Sequence, residues 1–142
     1  MAASFNIFNQ FKVRMSDGTI DVNTDVHIVA LYKTLGGLSD ATFSLKSEIT
    51  SSEVANGNGY LTGGKTLSGI SYALSGTNAK FDATDVLWSA TGAISSMKAF
   101  AIYISGLGEL VGWGRISTTS VSLTNTNRLT LQWNASGIYT VS

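Results

Sequence analysis

The chain has 142 residues and a mass of 15.0 kDa, enough for one domain with a substantial core, and nine basic residues balance nine acidic ones. Charged residues make up only 13%, against roughly 25% in typical soluble domains, so Ser, Thr, Asn and Gly must cover much of the surface, as suits a protein packed in an assembly. The neutral, scattered charge argues against nucleic acid; the lack of cysteine excludes disulfides and thiolate metal sites; and no apolar run approaches the roughly 20 residues that span a bilayer.

In chain order, Ser4 is placed to cap a helix on which Phe5, Phe8, Phe11 and Met15 form one aromatic face, over an N-terminal segment of residues 1–15. Asp17-Gly18 turns the chain. Val26–Tyr32 (VHIVALY) is apolar on both faces, which predicts a central strand. Residues 35–58 form a Gly/Ser/Thr-rich excursion with one helical turn around Ser44–Ile49. From Tyr60 onward the chain reads as β, with strands at Thr66–Leu74, Ala79–Phe81, Val86–Ser89, Lys98–Ile104, Leu110–Ile116, Val121–Leu123, Leu129–Trp133 and Ile138–Val141. Alternation turns Leu129, Leu131 and Trp133 inward. The expected fold is mainly β: a single-domain antiparallel β-sandwich, Ig-like or jelly-roll-like, over residues 16–142, with a short N-terminal helix and no second domain or linker.

One stretch, Gly57 to Gly69 (GNGYLTGGKTLSG), admits two readings. Gly59 to Thr66 fits the phosphate-loop pattern G-x-x-x-x-G-K-[ST], which needs a buried strand entering and a helix leaving. Residues 47–58 are too polar for that strand. The segment after Lys65 places apolar residues at 67, 70, 72 and 74 with Gly69 among them, which predicts a strand and not a helix. No second strand ends in an Asp to hold Mg²⁺. Lys65 is expected to be a solvated surface lysine.

Other candidate chemistry is thin. His27, the only histidine, stands on a core strand without a nucleophile or acid pattern and is expected to be half-buried and hydrogen-bonded. Asp21 to Asp25 opens like a calcium loop, but Val26 replaces the required Gly and Tyr32 the bidentate Glu, so a turn is expected. Asp82 and Asp85 are expected to cap turns. Trp88 and Trp133 belong in the core, whereas Trp113, between two glycines, is a candidate for a partner interface or a glycan platform. No catalytic, cofactor-binding or metal-binding residue is expected, and the chain lacks the parts of an acid–base or nucleophilic enzyme.

Several boxes resemble a family of small virion structural proteins of tailed bacteriophages. Residues 17–31 match its "dG-t-i-d-w-d-t-D-t-i-k-v-a-L" box. Glu53, Val54, Gly57, Gly59, Tyr60, Gly63, Gly64 and Leu67 match "E-v-x-G-x-GY-x-x-GG-x-x-L". Residues 81–90 match "f-D-A-d-D-v-x-W-s-A", residues 100–103 "y-A-v-i-Y", and 129–140 "l-t-i-x-W-n-a-x-G-i-l-t". Gly106 to Glu109 is shorter than the loop many relatives carry, and Asn58 and Lys65 fall at variable positions.

The resemblance implies a non-enzymatic virion part, assembled in the bacterial cytoplasm. The leading expectation is a capsid decoration (cement) protein that binds the major capsid protein, as a homo-oligomer and by expectation a trimer. A neck or tail component is the alternative, and a virion carbohydrate-binding module a further one. Candidate partner-interface residues are Phe5, Phe8, Phe11, Tyr60, Gly63, Gly64 and Trp113. The phenylalanines are expected to pack on the sandwich or a neighbouring subunit, and the loop glycines to allow close backbone approach to a partner. No nucleic acid or membrane is expected as a partner.

Overall fold

A computed structural model describes residues 5–34, 38 and 42–141. The first residues pair as a strand: β1 (Asn6–Ile7) lies antiparallel to β9 (Leu110–Arg115), with Asn6 opposite Trp113 and Ile7 opposite Gly112. The helix α1 (Asn9–Ser16) begins only afterwards, with Phe8 in an extended conformation as its N-cap. It ends where Asp17 N–H donates to the Val13 carbonyl and Gly18 adopts a positive φ of 81°.

The expected single aromatic face is therefore corrected. Phe5 precedes the helix, and the phenylalanines divide between two apolar clusters, Phe5 and Phe11 on one side of the main sheet and Phe8 on the other. The open edge of β9 offers residues 6 and 7 ladder bonds that a marginal eight-residue helix cannot match. Ser4, the expected cap, lies outside the described residues.

The main sheet has the order β1-β9-β8-β2-β3, antiparallel throughout, with β2 at His27–Tyr32, β3 at Lys65–Thr66 and β8 at Ala99–Ile104. All six residues of β8 are buried, and β2 pairs with it from His27↔Ile104 to Tyr32↔Ala99. Strands this apolar on both faces must be covered on both faces.

One face is covered by three antiparallel ribbons. The first joins β4 (Ser71–Ser75), β5 (Asn78–Asp82) and β12 (Tyr139–Val141); the second joins β6 (Val86–Ser89) to β11 (Arg128–Leu131); the third joins β7 (Ile94–Met97) to β10 (Val121–Leu123). Their inward residues, among them Phe81, Trp88, Met97, Leu131, Trp133 and Tyr139, meet Val29, Leu31, Phe100, Ile102 and Val111 in one core. On the opposite face Phe8, Leu38 and Ile49 cover Ala30, Tyr32, Ala101, Tyr103 and Leu110. Two short 3₁₀ turns, Lys46–Glu48 and Thr50–Ser52, carry the chain there. The fold is thus mainly β and sandwich-like, with its second layer divided into ribbons.

Two strand expectations change. The strand expected at Thr66–Leu74 is broken: β3 belongs to the main sheet and β4 to the facing ribbon, and the chain changes layers at Gly69, whose φ is +61°. A Cβ there would strike the Thr84 hydroxyl, while Thr84 N–H donates to the Ser68 carbonyl. Residues 94–97 (ISSM) form β7 with little apolar signal, their pairing supplied by β10.

Candidate functional site

The glycine loop is built into its own fold. Tyr60 is fully buried, and its hydroxyl donates to Glu53 Oε1 at 2.7 Å while accepting from Leu31 N–H at 3.1 Å. Gly63 N–H donates to the same Glu53 oxygen at 2.6 Å, and Lys46 Nζ lies 3.2 Å from Glu53 Oε2. Tyr103 donates its hydroxyl proton to the Gly63 carbonyl at 2.6 Å, and the Lys46 ammonium stands 5.2 Å from the centre of the Tyr103 ring. Glu53 is thus a buried hub with both oxygens engaged, tying the 3₁₀ segment, the loop and, through Tyr60, strand β2 together.

Burial raises the Tyr60 pKa, and the hydrogen bond to Glu53 raises it further, so the phenol stays neutral as a donor. Burial likewise raises Tyr32, followed by the charge of Glu53; its hydroxyl is buried with no hydrogen-bond partner among the described residues.

Gly59 and Gly64 approach their own chain closely, while Gly63 and Gly64 remain half-buried at the surface. A Cβ on Gly64 would fall on the Val29 carbonyl of β2, and one on Gly59 on the Ser89 carbonyl of β6. Both have positive φ, 90° and 99°. The loop is wedged between the two layers, and Tyr60 cannot reach another molecule. Asn58, treated as variable, sits at φ 56° and donates from Nδ2 to the Ala93 carbonyl.

Lys65 is exposed, as expected of a surface lysine, and its Nζ donates to the Leu87 carbonyl at 2.6 Å and lies 5.9 Å from the Trp88 ring centre. The chain leaves the loop as strand β3. The two features a phosphate cradle needs here, a free lysine and a following helix, are replaced by a tethered lysine and a strand.

Among the remaining candidates, Phe8 and Phe11 are buried inside the chain, while Phe5 is half-buried, stacking on Tyr139 with ring centres 5.7 Å apart. Of the two packings expected for the phenylalanines, on the sandwich or on a neighbouring subunit, Phe8 and Phe11 take the first. Trp113 is half-buried against the Phe8 cluster. Trp88 and Trp133 are in the core.

His27 is fully buried, not half-buried. Its Nδ1 donates to the Asp25 carbonyl at 2.8 Å, its ring lies 4.8 Å from that of Phe81, and burial lowers its pKa against the opposing pull of Asp25. Asp21 and Asp25 make a turn, with Asp21 N–H on Asp25 Oδ2 and Asn23 N–H on Asp21 Oδ1. Asp82 caps Ala83 N–H at 2.9 Å. Asp85 reaches across sequence to Trp133 N–H at 2.9 Å, while the Trp133 indole donates to the Thr84 carbonyl at 3.1 Å, so the "D-A-x-D" and "W-N-A-x-G" boxes hold each other.

Among the described residues no three His, Cys, Asp or Glu side chains gather as metal ligands, and no helix is long and apolar enough to cross a membrane. Two exposed side chains escaped the sequence reading: Leu61, 72% exposed beside inward Tyr60, and Leu74, 82% exposed on β4. Only the residue type signals them. Comparison with protein-family models, with characterised proteins and with solved structures finds no match to this chain.

Proposed function

We propose that this chain is a non-enzymatic structural component of a tailed-phage virion, and specifically a decoration protein that binds the major capsid shell. The observation that carries the reading is the state of the glycine loop. Its tyrosine, glycines and lysine are all engaged in joining the layers of the fold, which favours the architectural reading of GNGYLTGGKTLSG over the phosphate-binding one. The boxes behind the resemblance carry intrachain bonds of the same kind, Glu53 with Tyr60 and Asp85 with Trp133, so the resemblance rests on residues that specify a fold. A surface poor in charge and rich in hydroxyl and amide groups suits permanent packing against protein.

The test is the copy number of the chain in purified particles separated into heads and tails, measured by quantitative mass spectrometry. A decoration protein should appear on the heads in multiples of the capsid symmetry, on the order of hundreds of copies. Confinement to tails at about a dozen copies would replace this reading with a tail or neck role. Absence from particles would overturn both, and Trp113-dependent binding on a glycan array would then favour a carbohydrate-binding module.

A further inference from the structure

The β4–β5 hairpin turns through Gly76 and Thr77, with Gly76 at φ +65°, as in a two-residue turn led by glycine. In such a hairpin the pair beside the turn, Ser75 and Asn78, exchanges both ladder bonds, and the bonds recur at every second pair, Ala73–Lys80 and Ser71–Asp82. The backbone N–H and C=O groups of Tyr72 and Leu74 therefore point away from β5, along the outer edge of β4. Among the described residues no strand adjoins that edge.

Natural edges are usually guarded by charge, proline or a bulge. The sequence of β4, SYALS, has neither charge nor proline, and its pairing with β5 runs without a register shift. Leu74 lies on the same side of the strand as Tyr72, the side that Phe81 turns to the core. The end of the hairpin overruns the core, leaving Leu74 the most exposed large apolar side chain among the described residues.

We propose that β4 is a homodimer contact in which two copies of this chain pair antiparallel, edge to edge, about a two-fold axis at Ala73. That register is self-complementary. Tyr72 of each copy faces Leu74 of the other, and the outward backbone groups of both residues close four ladder bonds. Ser71 faces Ser75, and Ala73 faces Ala73. Two copies also meet there without like-charge repulsion from the strands: β4 brings no charge to the seam, and Lys80 and Asp82 on the neighbouring β5 lie 3.6 Å apart as their own pair. A second copy meets these conditions by symmetry, each edge supplying the donors and acceptors that the other leaves open. Five residues a side form a small contact, well below the roughly 1,600 Å² of a standard interface, so the pair forms at high concentration and gains where copies are tethered side by side. The proposal does not rest on the virion reading.

The facing Ala73 residues form a non-hydrogen-bonded pair, whose Cα separation of about 4.5 Å suits a disulfide. The natural chain has no cysteine, so an introduced thiol is the only one. Under mild oxidation Ala73→Cys should yield a covalent dimer at least about tenfold faster than Ser75→Cys, whose partner is Ser71. Sedimentation across a dilution series should show reversible dimers of the natural chain. Ala73→Lys and Ala73→Glu should each weaken dimerisation at least about tenfold, and mixing the two should restore it as a heterodimer. Ala73 is exposed in the single chain, so the fold should tolerate these changes, and circular dichroism checks that it does. A natural chain that stays monomeric throughout, Ser75→Cys cross-linking as fast as Ala73→Cys, or folded charge variants that dimerise like the natural chain would each overturn the proposal.

Discussion

The Tyr60 hydroxyl donates to the carboxylate of Glu53 across 2.7 Å in the interior, and the two residues are seven positions apart on a segment with almost no regular structure. The bond holds because the carboxylate also receives Gly63 N–H and the Lys46 ammonium, and because the phenol in turn accepts Leu31 N–H. The Tyr60 hydroxyl and both Glu53 oxygens thus have partners, so the irregular segment between β2 and β3 is fixed to the sheet.

Breaking this hub should rank by how many partners are left unpaired. Tyr60→Phe removes one donor and orphans Leu31 N–H, and should cost about 1–3 kcal/mol. Glu53→Ala strands Tyr60, Gly63 and a largely buried Lys46 together, and should cost about 3–5 kcal/mol. Urea denaturation monitored by tryptophan fluorescence measures both; equal or reversed losses would show that Glu53 is not the hub.

Substitutions of glycine by alanine should separate backbone strain from collision. Gly18 and Gly64 both have positive φ, but a Cβ at Gly18 meets nothing within 4 Å, whereas one at Gly64 falls on the Val29 carbonyl. Gly18→Ala should cost about 1 kcal/mol, and Gly64→Ala clearly more, up to loss of the folded state. Midpoints of chemical denaturation decide the order.

The N-terminal phenylalanines should differ in the same assay. Phe11 is fully buried and meets Tyr139 edge-on at 5.7 Å between ring centres, and Phe8 is buried in the opposite cluster. Phe11→Ala and Phe8→Ala should each cost about 3–5 kcal/mol, and half-buried Phe5→Ala less. Deletion of residues 1–15 removes β1 and most of α1 and should reduce stability by more than any of the three.

Stability should also fall in mild acid through His27. Burial lowers its pKa below the ordinary 6.5, so the unfolded chain binds the proton more readily than the native one. Stability is then full above about pH 6.5, decreases as pH falls below it, and levels off once the native histidine also protonates. The slope of unfolding free energy against pH between 5 and 7 should flatten in His27→Gln. An unchanged slope would place the acid sensitivity elsewhere.

The strands at Val86–Ser89 and Val121–Leu123 were legible to the residue, and those around β2, β8 and β9 nearly so, because alternation and apolar runs are local signals. The candidate site was legible only as a string. Nothing in Glu53 or Lys46 marks them as partners of Tyr60, since a buried carboxylate reads like any surface glutamate until its donors are placed around it. The helix was misjudged at its start for a related reason: Phe5, Phe8 and Phe11 repeat at helical spacing, yet the edge of β9 lies a hundred residues away and takes residues 6 and 7 as a strand.

By itself the sequence determined the β-rich class, the single short helix, the tight turn at Gly18, and a surface without strong charge, all consequences of neighbouring residues. Tertiary structure alone decided that Tyr60 of the glycine loop faces inward, that the chain breaks between layers at Gly69, and that Leu74 overruns the core into solvent. Those outcomes depend on which distant groups share a space. A carbonyl at Val29 or Ser89, or the edge of a neighbouring strand, sets them through sterics and hydrogen bonding that no local pattern encodes.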